Sequence, residues 1–166
     1  MANEPNHSGL IRINKILMPT DFSDNAGVAI PYALEIARRY NAELHIVTVL
    51  DTRTFDTFAC PIPGDFLSAA TQEADKYLTQ LVSSIDTQGV AVKAVSLAGV
   101  PFVEIIGYAR QESVDLIIVA THGRSGITHA ILGSVTEKIV RKAPCPVLTV
   151  NAGRKDEIPA QSGDGA

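Results

Sequence analysis

Two stretches of this chain are rich in apolar residues without the alternation of a half-exposed strand, and they constrain the fold more than anything else in it. Leu44 to Leu50 reads LHIVTVL and Asp115 to Ala120 reads DLIIVA, both rich in β-branched residues. A strand with one wet face alternates apolar and polar side chains, whereas a continuous run needs cover on both faces. That cover has to come from helices, and the intervening segments carry helical period. From Asp24 to Tyr40, residues Ala26, Ala29, Ile30, Ala33, Leu34, Ala37 and Tyr40 recur at helical spacing. Small side chains on such a face let a helix lie close against a sheet. Pro31 falls inside the pattern, past the first turn of a helix starting near Asn25, and predicts a kink.

Phe66 to Gln88 shows the same period through Leu67, Ala70, Ala74, Tyr77, Leu78, Leu81, Val82 and Ile85, with Gly89 as its stop. Ile13, Ile16, Leu17 and Met18 predict a first strand closed by Pro19, Val90 to Leu97 a third, and Val147 to Val150 a fifth. Pro101 fits the first turn of a helix running to Gln111. Ser134 and Glu137 have capping-box spacing at the start of a last helix, whose apolar face is Val135, Ile139 and Val140. Strands alternating with helices imply βαβ crossovers. The expected fold is an α/β, three-layer α/β/α sandwich with a five-stranded parallel sheet, Rossmann-like in plan. Residues 1–10 read as a flexible arm, 11–150 as one domain, and 151–166 as a disordered tail; Asp51 to Asp65 reads as a long loop.

Composition narrows the function. The chain has 166 residues, 46% apolar and 19% charged, which fits one folded domain. A net charge of −4, no Trp and only 5% aromatic residues argue against broad nucleic-acid contact. No apolar run reaches transmembrane length and the start is no signal peptide, so the expectation is a cytoplasmic protein with no membrane partner. Cys60 and Cys145 are too few for a disulfide framework, and Cys145, between two prolines, reads as buried rather than reactive.

In folds of this kind ligands sit at the carboxyl ends of the strands, beside a reversal of strand order. One rim then holds Pro19-Thr-Asp21, Val49-Leu-Asp51 and Thr121 to Ser125. The segment Ala120-Thr-His-Gly-Arg-Ser-Gly126, with Gly133-Ser134 beyond it, runs strand, glycine loop, helix start. Converging backbone N–H groups and a helix N-terminus favour an anion such as phosphate. Arg124 and Ser125 add charge and a hydroxyl. The pattern lacks the lysine of a P-loop, so a tight turn built for geometry alone stays open. Asp21 is placed to accept from ribose hydroxyls or to cap the next helix, a task Ser23 or Asp24 can also do. Asp51 is left with metal binding, a bridge to Arg53, or water. His122 fits a loop residue better than a general base, and His7, His45 and His129 have no zinc spacing.

The chain resembles the universal stress protein family. The likeness covers about Ile13 to Val150 and rests on Pro19-Thr-Asp-Phe-Ser23, Val49-Leu-Asp51, Gly99-Val-Pro101, Gly-Ser-Val-Thr-Glu-Lys at 133–138 and Ala-Pro-Cys-Pro-Val-Leu-Thr-Val at 143–150. Its nucleotide-binding branch carries Gly-x2-Gly-x9-Gly-[Ser/Thr]; Gly123, Gly133 and Ser134 match, and Ala120 stands at the first glycine. The resemblance implies an adenine nucleotide alpha hydrolase-like fold and ATP, with Mg2+ accompanying it. It implies that Asp21 contacts the ribose and that Pro19, Thr20 and Val49 surround the adenine. The backbone of Thr121, His122, Gly123, Arg124, Ser125 and Gly126 would face the phosphates with Gly133, and Ser134 would donate a hydroxyl. It also implies a homodimer through Val147 to Val150, with pairing into a tetramer open; an unpaired apolar edge strand is an aggregation hazard.

The function expected is therefore an ATP-binding, nucleotide-dependent switch in the stress response, acting on an unidentified downstream protein and hydrolysing slowly at most. Two alternatives stand beside it. One is a nucleotide-independent dimeric adaptor, supported by Ala120. The other is a slow ATP hydrolase or nucleotidyl-transfer enzyme using His122 or Asp21.

Overall fold

The computed structural model describes residues 11–54, 64–121 and 132–151. The central strand of its sheet is β1 (Lys15–Pro19), whose Ile16, Leu17 and Met18 are all fully buried. Beside it lie β2 (Glu43–Asp51) and β4 (Leu116–Ala120), and outside these β3 (Val92–Gly99) and β5 (Val147–Val150). The order is β3-β2-β1-β4-β5 and every pairing is parallel. The two continuous apolar runs are thus the strands flanking β1, as double-sided cover demands.

Side chains alternate between two cores. Ile16, Met18, Leu44, Ile46 and Ile118 pack beneath α1 (Asp24–Gly27), α2 (Ile30–Tyr40) and α3 (Gly64–Ser84). Leu17, Val47, Ile117 and Val119 pack beneath α4 (Pro101–Gln111) and α5 (Ser134–Lys142). Ala29, Ala33 and Ala37 are fully buried, so the expected small-residue seam is the contact between α2 and the sheet. His45 lies in β2, fully buried, with Nδ1 2.8 Å from the Tyr108 hydroxyl and Nε2 3.1 Å from a Glu43 oxygen.

Three local expectations need correction. The segment 24–40 is two helices, because Val28 and Ala29 leave the ladder and place Pro31 in the first turn of α2, where its missing N–H costs nothing. The helix expected to reach Gln88 stops at Ser84. Beyond it the N–H of Gln88 donates to Asp86 Oδ1, and Gln88 and Gly89 take φ of 50° and 84° in a turn closed from Val90 N–H to the Thr87 carbonyl. Lastly, the capping box does not form. Gly133 occupies the N-cap of α5 with no side-chain acceptor, and Glu137 reaches toward Arg141 instead, at 3.4 Å. Thr136 and Ile139 face the core, while Val140 is exposed.

At the amino ends of the strands, Lys15 Nζ meets Glu112 Oε2 at 3.0 Å and the Glu112 carbonyl at 2.8 Å. That hydrogen bond holds the Glu112 carboxyl below its ordinary range, with Lys93 adding to it. A carboxylate whose folded pKa is depressed stabilises fully above its unfolded pKa, and loses that contribution as pH falls through the folded one. Glu112→Gln is therefore expected to be less stable than the parent at neutral pH, with the gap closing as pH drops from about 5 towards about 3. Urea denaturation across that range reads it. Ala33→Leu, forcing a larger side chain into the seam, should lose about 1–3 kcal/mol in the same assay at neutral pH.

Candidate functional site

The strand order reverses at β1: from it the chain proceeds outward to β2 and β3 on one side, and returns to β4 and β5 on the other. The crevice above the carboxyl ends of β1 and β4 is where such sheets hold ligands. Pro19 closes β1, and the Thr20 N–H is tied to the Val47 carbonyl at 2.8 Å. The next residues fold into consecutive side-chain turns. Phe22 N–H donates to Thr20 Oγ1 at 3.1 Å, and Ser23 donates to Asp21 Oδ1 through both its N–H, at 3.0 Å, and its hydroxyl, at 2.6 Å. Phe22 sits at φ 64°, an outlier for a bulky residue. Its ring lies 5.9 Å from that of Tyr77 on α3.

Ser23 also accepts from Ala26 N–H at 3.1 Å, so it caps α1. The capping task left open between Asp21, Ser23 and Asp24 belongs to Ser23, and Asp21 is the residue that Ser23 holds in place. Val49, one strand over, is half-buried on the α4 side of the sheet. Asp51 bridges to Arg53, with Nε–Oδ1 at 2.9 Å, and this hydrogen bond lowers the Asp51 carboxyl and raises the Arg53 guanidinium.

Across the crevice, Ala120 ends β4 and its side chain is buried. By strand alternation its methyl falls on the face of Ile118, beneath α1 to α3, whereas α5 packs on the other face. The Ala120 carbonyl accepts from the buried Thr136 hydroxyl at 2.9 Å. Thr121 N–H bonds the Val150 carbonyl at 2.8 Å, and Gly133 N–H bonds the Thr121 carbonyl at 2.7 Å. These backbone ties fix where α5 begins, and Ser134 stands exposed at its first turn. The structure thus brings Pro19, Thr20, Asp21, Val49, Ala120, Thr121, Gly133 and Ser134 to one end of the sheet. His122, Gly123, Arg124, Ser125 and Gly126 lie outside the described residues. Cys145 is half-buried, and burial pushes its thiol pKa up, as expected of an unreactive cysteine.

Sequence reasoning missed Thr136, which anchors the first turn of α5 to the end of β4. A threonine at helix position three from Gly133 carried no signal beyond its place in the quoted segment.

A doubly wound parallel sheet, with a carboxylate on one lip of its switch crevice and the start of α5 on the other, defines an α/β domain of the Rossmann-like class. The chain belongs to the universal stress protein family, whose model matches residues 12–151. It is 32% identical over 143 residues to the universal stress protein MJ0531 of Methanocaldococcus jannaschii, covering 86% of this chain and 84% of that protein. The structure of MJ0577 from the same organism superposes with a TM-score of 0.73 at 30% identity, covering 87% of this chain and 99% of that one. A universal stress protein solved in complex with cAMP shares the fold, with a TM-score of 0.56 at 24% identity and coverage of 84% and 98%.

Thr136→Val keeps the shape and removes one buried hydrogen bond to the Ala120 carbonyl. The expected cost is about 1 kcal/mol of unfolding free energy, read as a lower urea midpoint at unchanged slope.

Proposed function

We propose that this protein binds an adenine nucleotide, ATP with Mg2+, across the carboxyl rim of its sheet and works as a nucleotide-dependent switch in the stress response. The observation that carries this reading is the start of α5. Gly133 gives the first-turn N–H groups no side-chain acceptor, and the helix begins at the crevice, facing the lip that holds Asp21. A helix of this kind attracts an anion through its orphan N–H groups and its dipole. Asp21 is an acceptor suited to ribose hydroxyls. Pro19, Thr20 and Val49 would surround the base. Thr121, Gly133 and Ser134 would face the phosphates, with the sequence assigning the segment from His122 to Gly126 to the same task. Mg2+ would arrive on the phosphates, since no three His, Cys, Asp or Glu residues cluster among the described residues. The relative bound to cAMP supports an adenine ligand for this fold.

The cytoplasm is the proposed location; among the described residues no helix is long and apolar enough to cross a membrane. β5 is an edge strand with Leu148 exposed, which supports pairing of two copies through Val147 to Val150. The adaptor alternative draws on Ala120, whose methyl falls by strand alternation on the face away from α5.

The test is calorimetric titration of the full chain with ATP and Mg2+, after denaturing a fresh sample and identifying released nucleotides by mass spectrometry. The expected result is saturable binding that Asp21→Ala and Gly133→Val each weaken by about tenfold or more. No affinity below about millimolar sinks the proposal.

A further inference from the structure

The Gly99-Val-Pro101 turn has no part in the site described so far, yet its geometry is specialised. Gly99 ends β3 at φ 149°, a conformation that side-chain-bearing residues avoid, and a Cβ there would collide with Oε1 of Glu104. The Glu104 carboxylate therefore rests directly on the Gly99 backbone. It does so because Glu104 lies in the first turn of α4, where its N–H bonds the Val100 carbonyl at 3.0 Å and helical side chains lean back towards the N-terminus.

Glu104 is half-buried, and its carboxylate has no hydrogen bond or ion pair among the described residues. The nearby cation Arg53 is engaged by Asp51, the register partner of Gly99. The positive end of α4 accounts for an acidic residue in its first turn. It does not account for a glycine held at positive φ beneath that residue. The carboxylate is thus fixed in place by packing while its oxygens still reach solvent, so it is open to a donor that arrives from outside.

The place of Glu104 along the rim says which donor. Gly99 pairs with Asp51, two residues past Val49, and diagonal neighbours across a sheet lie about 7–8 Å apart. Val49, Leu97 and Phe102 line the same side of the sheet between them. Following the strand order, the rim presents the start of α5, then Asp21 in the turn after β1, Val49 on β2, and Glu104 above the end of β3. On the nucleotide reading proposed above, phosphates at α5 and ribose at Asp21 carry the base over β2, with its far edge towards β3.

We propose that Glu104 accepts a hydrogen bond from the exocyclic amino group of the base, so that the rim selects adenine over 6-oxopurines. A carboxylate is acceptor-only, matched to the adenine amino donor and opposed to the oxygen that hypoxanthine or guanine carries at that position.

The experiment compares ATP with inosine triphosphate, which differs by that one group, on the full chain and on Glu104→Ala, Glu104→Gln and Gly99→Ala, with melting curves as folding controls. The parent should prefer ATP by about tenfold or more. Glu104→Ala should bring the two within about threefold by losing ATP affinity, and Gly99→Ala should do the same by displacing the carboxylate. Glu104→Gln, still an acceptor, should retain part of the preference. A parent that binds both triphosphates alike, or a folded Glu104→Ala that keeps the full preference, overturns this assignment alone. A parent that binds neither overturns the nucleotide reading and this assignment with it.

Discussion

Strand β1 has no exposed side. Its neighbours on both edges are strands, both its faces are packed, and Ile16, Leu17 and Met18 lose all contact with solvent. Every other placement follows from that burial. A strand closed in on four sides can release its chain only at its ends, so the residues after Met18 must turn sharply at the rim. The turn is built from side chains because the backbone groups there have no strand left to pair with. Thr20 and Asp21 serve as acceptors for Phe22 and Ser23, and this sets the Asp21 carboxylate at the crevice.

The opposite lip is organised differently. There backbone bonds, Thr121 to Val150 and Gly133 to Thr121, bring the start of α5 back to the end of the sheet, and Thr136 pins its first turn from below. Both lips thus have their geometry held from within the chain, the kind of preorganisation that lowers the cost of ordering on binding.

Much of this was legible in the residues because burial writes itself into composition. The runs around Ile46 and Ile117 could only be double-covered strands, and Ala29, Ala33 and Ala37 could only be a close helix contact. Pro31 marked the break in the helix, although its resolution into two separate helices needed the packing of Ala29 to be known. What stayed hidden were contests between local bonds of similar strength. Ser134 and Glu137 had the right spacing for a cap, but a backbone tie at Gly133 won. Asp86 and Gly89 each offered a way to end α3, and the turn took over at Ser84 before the glycine was reached. The partnerless carboxylate of Glu104 had no signature at all, since its meaning lies in the conformation of Gly99.

The interruption at Val28 has a mechanical consequence. Had the segment from Asp24 to Tyr40 been one rod, any displacement of the Asp21 turn would have levered the alanine seam against β1. Two helices meeting at a joint behave otherwise: α2 is clamped by its alanines, while α1 has its own fixings, the Ser23 cap and the buried Ala26. The joint thus interrupts the lever between the Asp21 turn and the alanine seam, so that strain at the rim is not carried by a continuous rod into the hydrophobic layers below.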